Sequence, residues 1–355
     1  MTAEDSATQF RKGEELDTAK VEAHVRQTLP ELKGAISIAQ FPGGHSNLTY
    51  LVTVGNTEMV LRRPPPGTKA RSAHDMGREF RVLSKLQPLF AQAPKAYAYC
   101  EDESVIGAPF YLMQRFHGVV LRKDLPKDMP LTTAQCRQLC ENLIDLQAKL
   151  HKVDYVKAGL ADFGHPQGYV KRQIEGWMGR FGKAKTDDVP GCEAIMQWLQ
   201  DKQPGDSGYI GIIHNDYKFD NVVLDQENPL QIIGVLDWEM TTLGDPLMDL
   251  GCTLSYWVEK NDPAPLQLSR MGPTHLPGML TRKEMVARYA AQTGVKVENV
   301  DFYYVFGLFR LAVIAQQIYY RYYHKQVTDQ RFAMFGQFVT YLGKICDEVI
   351  AKSDL

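Results

Sequence analysis

The feature that most constrains this chain is a polar octet set inside apolar sequence. His214-Asn215-Asp216-Tyr217-Lys218-Phe219-Asp220-Asn221 is entered from Ile210-Gly211-Ile212-Ile213 and left through Val222-Val223-Leu224. Short apolar runs of this kind read as buried strand segments, and the octet between them reads as a loop held by rigid neighbours. Sixteen residues past Asn221, the run Ile232-Ile233-Gly234-Val235-Leu236 ends on Asp237. The chain must therefore fold so that separate strand ends deliver Asn221 and Asp237 to one place, with Asp216 standing apart from them.

Those residue types suit phosphoryl transfer. Two oxygen ligands can hold Mg²⁺ on nucleotide phosphates, while a third carboxylate orients an attacking hydroxyl and accepts its proton. Lys218 can aim its ammonium at the charge that develops on the transferring group.

Upstream, residues 1–20 read as a mobile arm and residues 21–32 as a short helix ending near Pro30. From Ile36 the pattern becomes strand, glycine loop, strand, tight turn at Gly55-Asn56, strand, with strands at 37–41, 48–54 and 58–62. Residues 73–86 have helical spacing, with Met76, Phe80, Leu83 and Leu86 near one face. Phe110-Tyr111-Leu112-Met113 reads as a short buried strand running into Gln114-Arg115-Phe116, where the lobe boundary falls. The remainder is expected to be mostly helical, at 132–152, 169–181, 191–202, 282–292 and 302–350, around the strand-rich island at 210–238. This gives an arm at 1–20, an N-lobe at 21–115 and a C-lobe at 116–355.

Forty basic against forty-two acidic residues give a net charge of −2, so no overall field gathers nucleic acid or an anionic membrane. The apolar stretch 302–320 is interrupted by Arg310, Gln316 and Gln317, which favours a buried helix over a membrane span. Met1 to Lys20 lacks the apolar core of a signal peptide, and the six cysteines form no C-x-x-C pair. Reduced thiols in a cytoplasmic protein are the expectation.

The spacing D-x-K-x-x-N followed by a strand-terminal Asp resembles the catalytic loop and metal-binding Asp of protein kinases. His214-Asn215-Asp216 and Leu236-Asp237-Trp238-Glu239 are closer to the aminoglycoside phosphotransferase family. Gly43-Gly44-His45-Ser46-Asn47, Val60-Leu61-Arg62 and Gly244-Asp245-Pro246-Leu247-Met248-Asp249-Leu250 look like the branch of that family fused to some acyl-CoA dehydrogenases. The resemblance runs from about residue 35 to about 260.

It implies an α+β, bilobal, protein-kinase-like fold, with a small antiparallel-sheet N-lobe and a mostly helical C-lobe. It further implies ATP and Mg²⁺ as cofactors and a small-molecule hydroxyl acceptor as partner. Asp216 and Lys218 then become the catalytic pair, and Asn221 and Asp237 the metal ligands. Gly43, Gly44, Ser46 and Asn47 fall in the nucleotide loop, and Gln114 and Phe116 in the hinge that meets the base. Arg62 stands where the family has its phosphate-binding lysine, with Glu79 as the helical carboxylate that pairs with it. Guanidinium keeps the charge but is planar and bulkier, so its geometry must differ. His214 and Asp249 are expected to be architectural, His151 to be packing, and Asp220 to be a solvated loop residue.

Asp237-Trp238-Glu239 lacks the glycine that eases a backbone flip in regulated kinases, and Asp245-Pro246 follows too soon for a long activation segment. The expectation is a constitutive small-molecule kinase, with a catalytically weak nucleotide- or acyl-ligand-binding homologue as the alternative. Acceptor choice should lie in the loops near 122–131 and 263–278. A hydroxyacyl or acyl-CoA-like acceptor is expected over an aminoglycoside, because residues 255–280 hold only Glu259 and Asp262 as acids.

Overall fold

The computed structural model describes residues 7–42, 47–65 and 75–355. Its first part holds helix α1 (Thr18–Thr28), strands β1 (Ile36–Gln40), β2 (Leu48–Val54) and β3 (Thr57–Arg63), and helix α2 (Met76–Leu86). Strand β4 (Ala96–Cys100), the single turn α3 (Glu103–Ile106) and strand β5 (Phe110–Gln114) complete it. The five strands make one antiparallel sheet in the order β1-β2-β3-β5-β4. Gly55, at φ 58°, makes the tight β2–β3 turn, in which Val54 pairs with Thr57.

Strand β2 alternates strictly. Leu48, Tyr50, Val52 and Val54 are buried, and they form a small core with Val21 and Val25 of α1 and Leu29 just after it. Val60, Tyr111 and Met113 belong instead to the opposite side, under Val82, Leu83 and Leu86 of α2, and that core runs on into the C-terminal half. The sheet thus has a separate apolar core on each face. Each of the three α2 side chains contributes about 1.5–3 kcal/mol by leaving water. That anchorage fixes Glu79, one turn away on the same helix.

The second part is helical around two short two-stranded sheets. It comprises α4 (Thr133–His151), α5 (Tyr169–Lys183), α6 (Glu193–Asp201), β6 (Gly211–Ile213), β7 (Val222–Leu224), β8 (Ile232–Val235), β9 (Thr242–Gly244), α7 (Pro246–Tyr256), α8 (Ala264–Leu268), α9 (Arg282–Thr293), α10 (Val300–Tyr323) and α11 (Phe335–Lys352). Strand β6 pairs with β9 and β7 with β8, both antiparallel. Every residue of α7 is buried, and it crosses α10 at two glycines. A Cβ on Gly307 would lie 2.2 Å from the Gly251 carbonyl oxygen, so the two backbones touch there.

Several expectations change. Residues 7–20 are not an arm: Thr8 and Gln40 exchange backbone hydrogen bonds of 2.7 and 2.9 Å, Leu16 is buried, and α1 begins at Thr18. Strand β4 went unread because it is an edge strand of alternating Ala and Tyr with weak contrast. The stretch 302–350 is two helices, because Lys325 turns the chain at φ 57°. Helix α7 gave no amphipathic period because it has no exposed face. Among the described residues no helix is long and apolar enough to cross a membrane.

Candidate active site

The octet alternates its anchors. Tyr217 and Phe219 point into the core, with the Tyr217 hydroxyl donating to Leu143 O at 2.8 Å, which leaves Asp216 and Lys218 on the open side. Asn215 enters the loop in the left-handed region at φ 65°, a conformation that Asn tolerates, and a 3₁₀ turn over Phe219–Asn221 returns the chain to β7.

Asp249, fully buried on α7, braces this loop. Its carboxylate accepts from the His214 amide at 3.1 Å and the Asn215 amide at 2.6 Å, and meets His151 Nε2 at 2.8 Å. Burial works against that charge, but the hydrogen bond from His151 and the loop amides more than offset it and hold the carboxyl below its ordinary range. His151 also meets the Tyr289 hydroxyl at 2.7 Å, so it is a polar brace and not mere packing. His214 accepts the Asp216 amide at Nδ1 (3.2 Å) and donates from Nε2 to Leu236 O (2.9 Å). Burial lowers its pKa, so it is a neutral strut with both nitrogens in use.

Asp216 is held by three donors. Lys218 Nζ and Asn221 Nδ2 both reach Oδ2 at 2.8 Å, and the Tyr256 hydroxyl reaches Oδ1 at 2.8 Å. Asp216 therefore does not stand apart from Asn221, as the spacing suggested: the 3₁₀ turn folds the amide back onto it. Because Asn221 spends its NH₂ on Asp216 O and Oδ2, its carbonyl oxygen remains to face a ligand. Burial works against the Lys218 charge, but Tyr256, Asp216 and Asp220 outweigh it and keep the ammonium protonated. Asp220 is no solvated loop residue. Burial pushes its carboxyl up to about 6 against the pull of Lys218, 3.7 Å away.

Leu236 N donates to Asn221 O at 2.8 Å, which ties the octet to the end of β8. Asp237 follows at φ 63° and turns its carboxylate toward Arg62. Arg62 meets Glu79 at 2.5 Å, Asp237 at 2.8 Å and Glu239 at 3.3 Å, and Asn47 donates to Glu239 at 2.7 Å. One guanidinium thus faces three carboxylates. Burial opposes the Arg62 charge, but Glu79 and Asp237 hold it well protonated. Burial likewise opposes the charge of Asp237, and Arg62 outweighs it, so that carboxyl sits below its ordinary range.

The expected residues therefore fall into two linked groups, Asp216–Lys218–Asn221 and Asn47–Arg62–Glu79–Asp237. Gly43, Gly44 and Ser46 lie outside the described residues. Gln114 and Phe116 join neither group. The Gln114 amide oxygen accepts from Lys95 N at 3.2 Å, and the Phe116 ring packs over Gly234 of β8. Tyr256, Glu239 and Arg310 were missed. The signal for Arg310 was present as a lone charge inside an apolar helix, and that for Glu239 as an acid where a glycine is usual. Tyr256, on a helix without a pattern, had none.

The bilobal kinase-like fold thus carries this pair of groups between its sheet and its helices. Residues 37–274 match the model of the phosphotransferase enzyme family, and the chain belongs to that family. It is 31% identical over 329 residues to human acyl-CoA dehydrogenase family member 11, covering 90% of this chain and 41% of that one, so it spans less than half the length of that relative. A structure from Ralstonia eutropha JMP134, provisionally named an aminoglycoside phosphotransferase, superposes with a TM-score of 0.82 at 29% identity over 96% of this chain and 100% of that one. Choline kinase from Cryptosporidium parvum Iowa II shares the fold at a TM-score of 0.65 and 13% identity, over 95% and 97% of the two chains.

Proposed function

We propose that the protein transfers the γ-phosphoryl group of ATP to a hydroxyl of a small molecule. The observation that carries this reading is the orientation of Asp216. Its carboxylate is fixed by Lys218, Asn221 and Tyr256 beside a second group in which Glu79, Asp237 and Glu239 meet Arg62. The carbonyl oxygen of Asn221 and the carboxylate of Asp237 suit one Mg²⁺ held by oxygen ligands. When bound, such an ion neutralises phosphate charge.

In this reading Asp216 orients the acceptor hydroxyl and takes its proton as the oxygen bonds to the γ-phosphorus and the bond to ADP breaks. Lys218 meets the developing charge. Arg62, fixed by Glu79, faces the phosphates from the N-lobe (21–115), with Asn47 and the glycine loop before it. The hinge around Gln114 and Phe116 lies along the base, and the C-lobe (116–355) supplies acceptor and metal groups. Kinship with a dehydrogenase-named relative, together with the few acids at 255–280, supports a hydroxylated acyl or acyl-CoA-like acceptor.

Asp216→Ala tests the assignment. ADP binding with Mg²⁺ should survive in a titration, while transfer to any accepted hydroxyl falls by three or more orders of magnitude, on the order of the loss seen when an essential catalytic group is removed. Unchanged turnover in that variant sinks the role of Asp216.

One observation favours a second reading, a nucleotide-binding homologue without turnover. Arg62 lies 2.8 Å from Asp237 and competes for the carboxylate a metal would need. A Mg²⁺-dependent thermal shift with ATP, without ATP consumption across a panel of alcohols, would favour that reading.

A further inference from the structure

Arg310 is a buried cation the reading above does not use. It sits in the middle of α10, 3% exposed, and among the described residues no carboxylate comes within ion-pairing distance. Its guanidinium lies 5.2 Å from the Trp177 ring centroid and donates from Nη1 to the Tyr256 hydroxyl at 3.4 Å. An arginine withdrawn from water into such a place costs stability, so its position asks for a reason. Burial works against its charge, yet Cys252, Tyr256 and the more distant Asp216 hold it protonated.

The chain of donors has one sense only. Arg310 can only donate, so the Tyr256 oxygen accepts from it, and the Tyr256 hydrogen is then directed to Asp216 Oδ1 at 2.8 Å. An ionised carboxylate offers about four lone-pair sites. Lys218 and Asn221 occupy those of Oδ2, and Tyr256 takes one of Oδ1. A single acceptor site remains, on Oδ1, beside the tyrosine hydroxyl. The α7–α10 glycine crossing makes this reach possible: Gly251 and Gly307 let the helices touch, which sets Arg310 close to Tyr256 across the seam.

We infer that Tyr256, oriented by Arg310, is a positioning residue that locks the Asp216 carboxylate so that the one remaining lone pair of Oδ1 meets the acceptor hydroxyl. This rests on the phosphotransferase reading. It adds that the acceptor oxygen docks next to Tyr256 and not next to Lys218, and that Arg310 acts only through the tyrosine.

The test uses the full chain with Mg·ATP and water as the acceptor, following ADP release in Tyr256→Phe, Arg310→Gln, Arg310→Lys, the double variant Tyr256→Phe/Arg310→Gln, and Asp216→Ala. Tyr256→Phe should lower kcat on the order of ten- to a hundredfold, the scale of a misplaced reacting group, with KM for Mg·ATP within about twofold. Arg310→Gln should do the same, Arg310→Lys should recover part of the loss, and the double variant should fall no further than Tyr256→Phe alone, since the arginine has then lost its target.

A kcat for Tyr256→Phe within about twofold of the parent, while Asp216→Ala abolishes turnover, overturns the positioning role and leaves the phosphotransferase reading intact. So does an Arg310→Gln loss that adds in full to that of Tyr256→Phe. Turnover that survives Asp216→Ala, or an absence of ADP release from the parent protein with water and with a panel of alcohols alike, removes the underlying reading and the positioning role with it. Should Arg310→Gln fail to fold, Tyr256→Phe, which keeps the ring, decides alone through the split between kcat and KM.

Discussion

The two halves of the site solve opposite electrostatic problems. Around Arg62, three carboxylates converge on one cation. Around Asp216 the reverse holds: one carboxylate is met by an ammonium, an amide and a hydroxyl, with Arg310 behind them. The first half gathers carboxylates around one cation, whereas the second gathers donors around one carboxylate. The stretch after Asp237 runs at once into β9 and the start of α7.

The sharpest way to break the contrast is to loosen the preset half from beneath. Asp249→Asn removes the charge that receives the His214 and Asn215 amides and the His151 ring. The expected cost is about 3–5 kcal/mol in urea unfolding, as for removing one partner of a buried charged pair. The pH dependence gives the sign. The folded pKa of Asp249 lies below its unfolded value, so its stabilisation is fully present above about pH 3.9, the unfolded value, and is lost as pH falls through the lower folded value. The gap between parent and variant should therefore be constant near neutrality and narrow only in acid. A gap that narrows instead between about pH 6 and 8 would point to a titrating histidine as the source.

Next in size is the half around Arg62. Arg62→Ala leaves Glu79, Asp237 and Glu239 without their shared cation, and Mg·ADP affinity should fall by roughly ten- to a hundredfold, about 1.4–2.7 kcal/mol, in a calorimetric titration. Arg62→Lys should recover most of that, since one point charge can still serve Glu79 and a phosphate, though not three carboxylates at once. If lysine performs no better than alanine, the forked geometry of Arg62 is itself required, and the site differs in kind from lysine-based relatives.

Much of this was legible before any coordinates. Asp216, Lys218, Asn221 and Asp237 announce themselves as polar residues ending or interrupting apolar runs, a local signal that survives without tertiary knowledge. Arg62 and Glu79 are likewise found on a regular strand and an amphipathic helix. The unread part is long-range. Tyr256 lies forty residues from Asp216 and Arg310 another fifty-four beyond it, on the wholly buried α7 and the mostly buried first part of α10, where periodicity has little to report. The fold of Asn221 onto Asp216 was hidden for a different reason: a 3₁₀ turn changes which side chains meet without changing the spacing of the residues.

The smallest expected effect is also the most discriminating. Glu239 is the farthest of the three acids from Arg62, at 3.3 Å, and its Oε2 accepts from Asn47. In Glu239→Gln the amide oxygen can keep that hydrogen bond, while the repulsion toward Asp237 and Glu79 disappears. Without ligand, the protein should melt at the same temperature or about 1 °C higher, since relieving a fraction of a kcal/mol moves a chain of this size by little. Mg·ADP affinity should nonetheless fall by about threefold, near 0.6 kcal/mol, because one of the charges that attracts the ion has gone. Stability and affinity then move in opposite directions, as expected when an acid is kept for a ligand and not for the fold. If ligand-free stability instead drops as far as it does in Arg62→Ala, Glu239 is a structural tie for the guanidinium. The three acids around Arg62 then say nothing about a bound cation, and the contrast between the two halves fails.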